Sequence, residues 1–307
     1  MEILKPLSSA SIGRDFISVY QKTLKNVILS SKNTPSRVLF LRGSQLPFCP
    51  AEFFVTHANR GLNRDLDMAG AFYTSVGTTV HEVMQGYLCT SGRFLADYHC
   101  RECGTWHRMS YEHECCDFPT AYHEIEISYK GITGHIDAIY TDSQGRLWIL
   151  DFKTTSRKSA PNKKKNPGVN YIEQLETYAV IFELQYKKKI EGIMDAFILR
   201  DNPKEDPIMY TRILTDERRR VVKTRLMLYK KMHQEALDAA TLKEALALIK
   251  YGRCTNPYCK VCGSDPDVLR NKVKSAYKAG TAKGNVPIRA MAEREVARQA
   301  KLKGNRK

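Results

Sequence analysis

Leu150-Asp151-Phe152-Lys153-Thr154-Thr155-Ser156 is the stretch on which the reading of this chain turns. Trp148-Ile149-Leu150 runs apolar into a charged pair, the pattern of a buried strand reaching its end. Asp151 and Lys153 are two residues apart, so on a strand both project from one face. A carboxylate beside an ammonium at a strand end can hold a divalent cation and poise a water next to it. An isolated acid-x-lysine triplet also occurs as a surface ion pair, so its meaning depends on its neighbours.

Those neighbours read as a compact α/β unit. Tyr122–Lys130 alternates as a strand, Gly131-Ile132-Thr133-Gly134 reads as a turn, and His135–Thr141 as a second strand. Asp142-Ser143-Gln144-Gly145 is a further turn, and Arg146–Lys153 the third strand. This meander predicts Asp137 on its middle strand, within reach of a cation shared with Asp151. A basic, proline-containing loop follows to about Val169, then an amphipathic helix over Tyr171–Gln185 with Gln174 and Tyr178 four apart on one face. Further strands are expected at Gly192–Leu199 and Ile208–Leu214. Thr215-Asp216 can cap a helix over Glu217–Ala236, followed by a shorter one over Leu242–Tyr251. Upstream, Ile12, Phe16, Val19, Tyr20, Leu24 and Ile28 mark an amphipathic helix within residues 8–31. Ser44–Pro50 reads as a turn into a helix. Another helix runs from Gly77 to about Cys89, with His81 beside its stripe of Val80, Val83, Met84, Tyr87 and Leu88.

The chain has 307 residues, enough to bury a full core, and a formal charge of +16. From Asn271 to Lys307 there are 11 Lys or Arg against two Glu. A second basic run, Arg157, Lys158, Lys163, Lys164 and Lys165, follows Lys153. Such excess suits phosphate-backbone binding through counterion release; a solvated surface with a weakly ordered tail has the same composition. The sequence holds no apolar run long enough to span a membrane and no basic-then-apolar leader, so an intracellular, cytoplasmic location with no membrane partner is expected. The absence of a G-x-x-x-x-G-K-[ST] loop leaves no sign of an ATP motor.

Nine cysteines in such a chain argue for metal rather than disulfides. Cys100-x2-Cys103 and His113-x2-Cys116 have the spacing of a structural zinc site, predicting Cys100, Cys103, His113 and Cys116 as ligands. Cys115 or His107 could replace one of them. Cys89 reads as a buried small apolar residue.

Gly77-x3-His81, Gly134-His135-Ile136-Asp137, Asp151-Phe152-Lys153 and Gln174-x3-Tyr178, in this order, resemble the PD-(D/E)XK nuclease superfamily. Within it they are similar to the RecB-type branch, which includes AddB and the iron–sulfur nucleases of CRISPR adaptation. The resemblance implies a restriction-endonuclease-like α-β-β-β-α-β core, a mixed sheet flanked by helices. A nuclease domain over 37–263 would then lie between an N-terminal helical segment (1–36) and a basic tail (264–307). The zinc-knuckle insertion at about 95–120, like the tail, lies outside the shared pattern. By the resemblance Asp137, Asp151 and the Phe152 carbonyl bind Mg²⁺ or Mn²⁺, with His81 and Glu124 as further candidates. Lys153 would orient or deprotonate the attacking water and stabilise phosphoryl charge. Gln174 would hold Lys153 or that water, and Tyr178 would contact nucleic acid. Arg157, Lys158, Lys163, Lys164 and Lys165 would hold backbone phosphates. Cys49 with Cys254, Cys259 and Cys262 resembles the 4Fe–4S staple of those nucleases, although the close pair here follows the longer gap, which leaves zinc as the alternative. The implied function is a metal-dependent DNA nuclease, an exonuclease on ends or single strands in recombination, repair or DNA degradation, with a helicase or recombination protein as a candidate partner. A structure-selective endonuclease and a non-catalytic nucleic-acid scaffold are the alternatives.

Overall fold

The structure, a computed structural model, describes residues 68–202, 204–238 and 242–247, with isolated residues at 18, 41–42, 270–271 and 274–275. The N-terminal helix expected over 8–31, the turn at 44–50, Cys49, the Cys254–Cys262 group and most of the tail lie outside the described residues. Strands are β1 (Leu41–Arg42), β2 (Phe94–His99), β3 (Trp106–Ser110), β4 (Glu114–Cys115), β5 (Phe118–Pro119), β6 (Ala121–His123), β7 (Ile125–Tyr129), β8 (Ile132–Ile136), β9 (Ala138–Thr141), β10 (Leu147–Thr155), β11 (Ile190–Leu199) and β12 (Ile208–Ile213). Helices are α1 (Met68–Leu88), α2 (Ala160–Lys165), α3 (Val169–Tyr186), α4 (Asp216–Asp238) and α5 (Leu242–Ala247).

The strand bearing Asp151 and Lys153 is central. A mixed sheet runs β12-β11-β10-β9-β2-β3, with β6 also on β2. Only β10 and β11 pair in parallel within it, because the crossover through α2 and α3 returns the chain in the same direction. Alternation along β10 and β11 sends Ile149 and Ile193 to one side, where Leu175, Tyr178, Ala179 and Phe182 of α3 and Val222 and Leu226 of α4 cover them. Leu150, Phe152 and Ala196 go to the other side, against Met84 and Leu88 of α1. The expected α-β-β-β-α-β order is therefore present, with β10 buried between two helical layers. Glu176 on α3, 1% exposed, is held by Arg218 of α4 and, at 3.6 Å, by Arg212 of β12. Those pairs tie helix, helix and edge strand together, as a buried carboxylate requires.

Three expectations change. Residues 94–99 are not part of an irregular insertion: β2 pairs with β9 in the main sheet, through Phe94↔Tyr140 and Leu95↔Ile139. The inserted part is narrower and starts at the knuckle. The turn between the first two meander strands is Lys130-Gly131, both at positive φ (49° and 85°), and the strand resumes at Ile132. Finally, neither of these two strands is continuous. The β7–β8 hairpin ends at the pair Ile125↔Ile136, and the chain breaks at Glu124 and Asp137, after which β6 pairs with β2 and β9 pairs with β10.

Candidate active site

Asp137 thus sits on a bend between two strands rather than mid-strand. The bend frees its carbonyl from the ladder, and a buried carbonyl needs a donor. Tyr122 Oη supplies one at 2.6 Å and Gln85 Nε2 of α1 another at 3.0 Å. Burial holds the Tyr122 hydroxyl well above its ordinary pKa, so it stays a donor. Fixed in this way, Asp137 turns its carboxylate toward β10, where Oδ2 accepts the Phe152 backbone N–H at 3.1 Å and meets His81 Nδ1 of α1 at 3.2 Å. Glu124 lies opposite Asp137 at the opened hairpin and lines a cleft of about 380 Å³ with Gly77, Thr78, His81, Glu82 and Gln85.

Asp151 is 4% exposed and forms an ion pair with Lys153. On the far side, in register with it on β11, stands Asp195, 0% exposed, with neither carboxylate oxygen hydrogen-bonded. Burial, reinforced by the charge of Asp137, pushes the Asp151 carboxyl up to about 7, outweighing the pull of Lys153. Burial raises Asp195 to about 6. Lys153 loses solvation by burial, but the carboxylates around it, Asp151 first, hold its pKa above the ordinary value. Burial disfavours the imidazolium of His81, yet the hydrogen bond and charge of Asp137 raise its pKa overall. Glu124 is raised by partial desolvation and by Asp137. Burial is the first cause for Asp151, Asp195 and Glu124, and the charge of Asp137 adds to it at each of them. A divalent ion suits such a group of carboxylates, and the orphaned oxygens of Asp195 mark where ligand capacity is unused.

Lys153, kept as an ammonium, fits orientation and charge stabilisation; acting as a base would require it to surrender that proton. The remaining expected residues divide. Gln174 Nε2 donates to Tyr178 Oη at 3.4 Å. Tyr178, expected to contact nucleic acid, is 6% exposed within the core, where its ring packs against Gly134 and its hydroxyl meets Gln174. Lys163 also departs from expectation. Its ammonium donates to the Pro167 carbonyl at 3.0 Å and lies over the rings of Tyr171 and Phe197, facing inward rather than toward a backbone phosphate. Tyr171 also flanks Lys153, at 5.4 Å. The loop carrying these lysines includes helix α2, where Lys164 and Lys165 are exposed, as is Lys158 before it. Arg157 is exposed but paired with Glu205 at 3.2 Å, and its backbone N–H is held by Asp201.

A second potential metal site lies in the knuckle. Ligand atoms of Cys100, Cys103, Cys115 and Cys116 lie within 4.8 Å of one another and could hold a metal ion. Cys103 Sγ and Cys115 Sγ are 3.6 Å apart, Cys115 and Cys116 3.9 Å. A tetrahedral ion with metal–sulfur bonds of about 2.3 Å demands sulfur separations of about 3.8 Å. Cys115 stands in this group where His113 was expected: the His113 ring faces Glu114 at 3.6 Å, and His107 pairs with Glu112 at 2.6 Å. The cause is the β4–β5 turn, in which Cys116 and Asp117 both adopt positive φ, 54° and 59°, bringing the adjacent cysteines to the Cys100 knuckle. Two non-glycine residues in that region cost about 1–2 kcal/mol each, a strain that ligation can offset. Cys89 is buried, its thiol donating to the Gly86 carbonyl at 3.0 Å, as expected of a packing residue.

Sequence reasoning missed Asp195, Gln85, Tyr122 and Tyr171. For Asp195 a signal existed: a lone acid inside Gly192-Ile193-Met194-Asp195-Ala196-Phe197-Ile198, where burial of an unpaired charge is rare.

Among the described residues no helix is long and apolar enough to cross a membrane. No curated protein matches the chain. A solved structure titled "Crystal structure of SSO0001" is similar at 15% identity and a TM-score of 0.40, covering 83% of this chain and 98% of that one. A family model described as the PD-(D/E)XK nuclease superfamily matches residues 88–265, more than half of the chain, and spans β2 to β12 with Asp137, Asp151, Lys153 and Gln174 inside it. By that match the chain belongs to the PD-(D/E)XK nuclease superfamily, whose members are mostly metal-dependent nucleases.

Proposed function

We propose that the protein is a divalent-metal-dependent DNA nuclease of the RecB-type branch, an exonuclease working on ends or single strands in recombination, repair or DNA degradation. The observation that carries this reading is the meeting of Asp137, Asp151 and Lys153 beside the Phe152 backbone, where burial and the charge of Asp137 raise Asp151. Asp137, Asp151 and the Phe152 carbonyl, with His81 and Glu124 at the cleft, are the residues to hold Mg²⁺ or Mn²⁺. Bound there, the ion supplies Lewis acidity and lowers the pKa of a coordinated water. Lys153, as an ammonium, steadies the attacking water and the charge developing on the phosphoryl oxygens. Gln174, fixed by Tyr178, orients that arrangement, and Lys158, Lys164 and Lys165 hold the DNA backbone. Cys100, Cys103, Cys115 and Cys116 take structural zinc, while Cys49, Cys254, Cys259 and Cys262 hold a 4Fe–4S cluster, or zinc in its place. A helicase or recombination protein is the candidate partner that feeds the strand.

The test uses end-labelled linear and closed circular DNA, single- and double-stranded, with each metal in turn. Asp151→Ala and Lys153→Ala should abolish cleavage while DNA binding persists. Equal activity in variant and parent sinks the mechanism; cleavage of closed circles identifies an endonuclease, and binding without turnover under every metal leaves a scaffold.

A further inference from the structure

Beyond β9, strands β3, β2 and β6 form a small surface that the metal site does not use. Asp97 and His99 lie two apart on β2; Trp106 of β3 pairs with His99, and His123 of β6 pairs with Asp97. Alternation puts these four on one face, while Tyr98 and Tyr122 pack with Cys89 on the other. On the first face the flat groups gather. The Trp106 ring lies 4.6 Å from that of His99 and 4.8 Å from that of His123, and the Arg108 guanidinium sits 3.9 Å from the Trp106 centroid.

The cluster is exposed yet fixed. Trp106 is 42% exposed and the Arg108 side chain 60%. Asp97, itself buried, holds the arrangement from beneath, accepting from Arg108 Nη1 and from the Met109 backbone N–H at 2.9 Å. A guanidinium carries five N–H donors, so this anchor does not exhaust Arg108. The charges acting on His123 are His99, Arg108 and Arg101 against Asp97 alone. Glu112 and Glu114, from the neighbouring loop and β4, are turned to His107 and His113. The face is therefore aromatic and cationic at once.

Its position also matters. Ile139 of β9 pairs with Leu95 of β2 and with Ile149 of β10, both antiparallel, so β2 and β10 run the same way. His99 and Lys153 each lie four residues beyond those partners, at the same end of the sheet. His123 immediately precedes Glu124, which lines the candidate cleft.

We propose that Trp106, His99, His123 and Arg108 form a stacking platform for unpaired bases of a single-stranded nucleic acid, with Arg108 and Arg101 on its phosphates. This rests on the nuclease reading and deepens it, naming a single strand as the form of nucleic acid engaged. Aromatic rings and guanidinium planes accept the face of any base, and a duplex keeps those faces inside its own stack. Anchoring by Asp97 lowers the ordering cost of binding.

Trp106 and Trp148 are the two tryptophans of the chain, so in full-length Trp148→Phe the fluorescence reports Trp106. Without added Mg²⁺ or Mn²⁺, oligothymidylate should quench it, and a duplex of equal length should not. By anisotropy of a labelled strand, Trp106→Leu should weaken oligothymidylate binding about tenfold, and Trp106→Phe, which keeps a flat ring, should recover most of the loss. Arg101→Gln should reduce the slope of log Kd against log salt by about 0.7, whereas Trp106→Leu leaves the slope unchanged. Absence of quenching, equal quenching by duplex, or equal Kd for Trp106→Leu and parent overturns the proposal and leaves the face to a protein partner. The two levels separate. Single-strand binding that depends on Trp106 in a chain that cleaves nothing under any metal sinks the nuclease reading alone; cleavage with a Kd indifferent to Trp106 sinks the platform alone.

Discussion

Gly134→Ala tests how the core reaches the site. A Cβ at position 134 would come within 2.6 Å of Tyr178 Cε1, 3.2 Å of Cδ1 and 3.3 Å of Cζ. Carbon atoms settle at about 3.5–4.0 Å, so the ring must retreat by about 1 Å. Tyr178 is enclosed in the main core cluster, and overpacking of this kind costs about 1–3 kcal/mol. The same ring carries the hydroxyl to which Gln174 is bonded. A catalytic group displaced by about 1 Å loses on the order of 100-fold in rate. Urea denaturation and single-turnover DNA cleavage should therefore both register the change. The control is a double-mutant cycle with Tyr178→Leu, which removes the obstructing ring. Gly134→Ala should then cost almost nothing further in stability, while activity stays low because Gln174 has lost its partner. An equal stability cost in both backgrounds would falsify the steric argument. Recovery of full activity in the double variant would show that Tyr178 does not position Gln174.

The pH dependence of stability, without added magnesium or manganese, has a definite sign. Asp151 and Asp195 have folded pKa values raised from 3.8 to about 7 and about 6, so the native state binds these protons more tightly than the unfolded chain does. Their contribution is greatest below pH 4 and is lost as pH rises through the folded values, at up to about 1.4 kcal/mol per pH unit for each proton. His81, also raised, is lost in the same direction. Denaturation curves from pH 4.5 to 8.5 should decline and then level off, and Mn²⁺ should flatten them; stability rising across that range contradicts the site's charge balance. Among the cysteines, Cys115→Ser should lose one tightly bound zinc per chain while His113→Ala retains it, by metal analysis. The reverse outcome restores the histidine ligand.

Much of the fold was legible because it is local. The apolar run into a charged pair over Leu147–Thr155, the helical stripe of α3 and the apolar run of β11 appear in the sequence within a residue or two of the observed bounds. The motif residues were legible too, since Asp151 and Lys153 depend only on strand period and Gln174 and Tyr178 only on helix period. What escaped depends on contacts between distant segments. Ile125, Ile127 and Tyr129 alternate with Glu124, Glu126 and Ser128, and Tyr122 falls out of that phase, but where the pairing changes at Glu124 is set by distant strands: β6 pairs with β2, and β9 with β2 and β10.

The amino-acid order by itself determined the α/β alternation, the excess of positive charge, the cysteine spacing and the choice of Asp137, Asp151 and Lys153 as candidate site residues. Tertiary structure alone decided that Asp137 stands on a bend, that Cys115 stands in the thiol group where His113 was expected, that Lys163 and Tyr178 turn inward, and that Asp195 faces Asp151. The physical reason is register. A strand's period says which residues share a face, but which residue on the next strand stands opposite is set by the packing of the whole sheet.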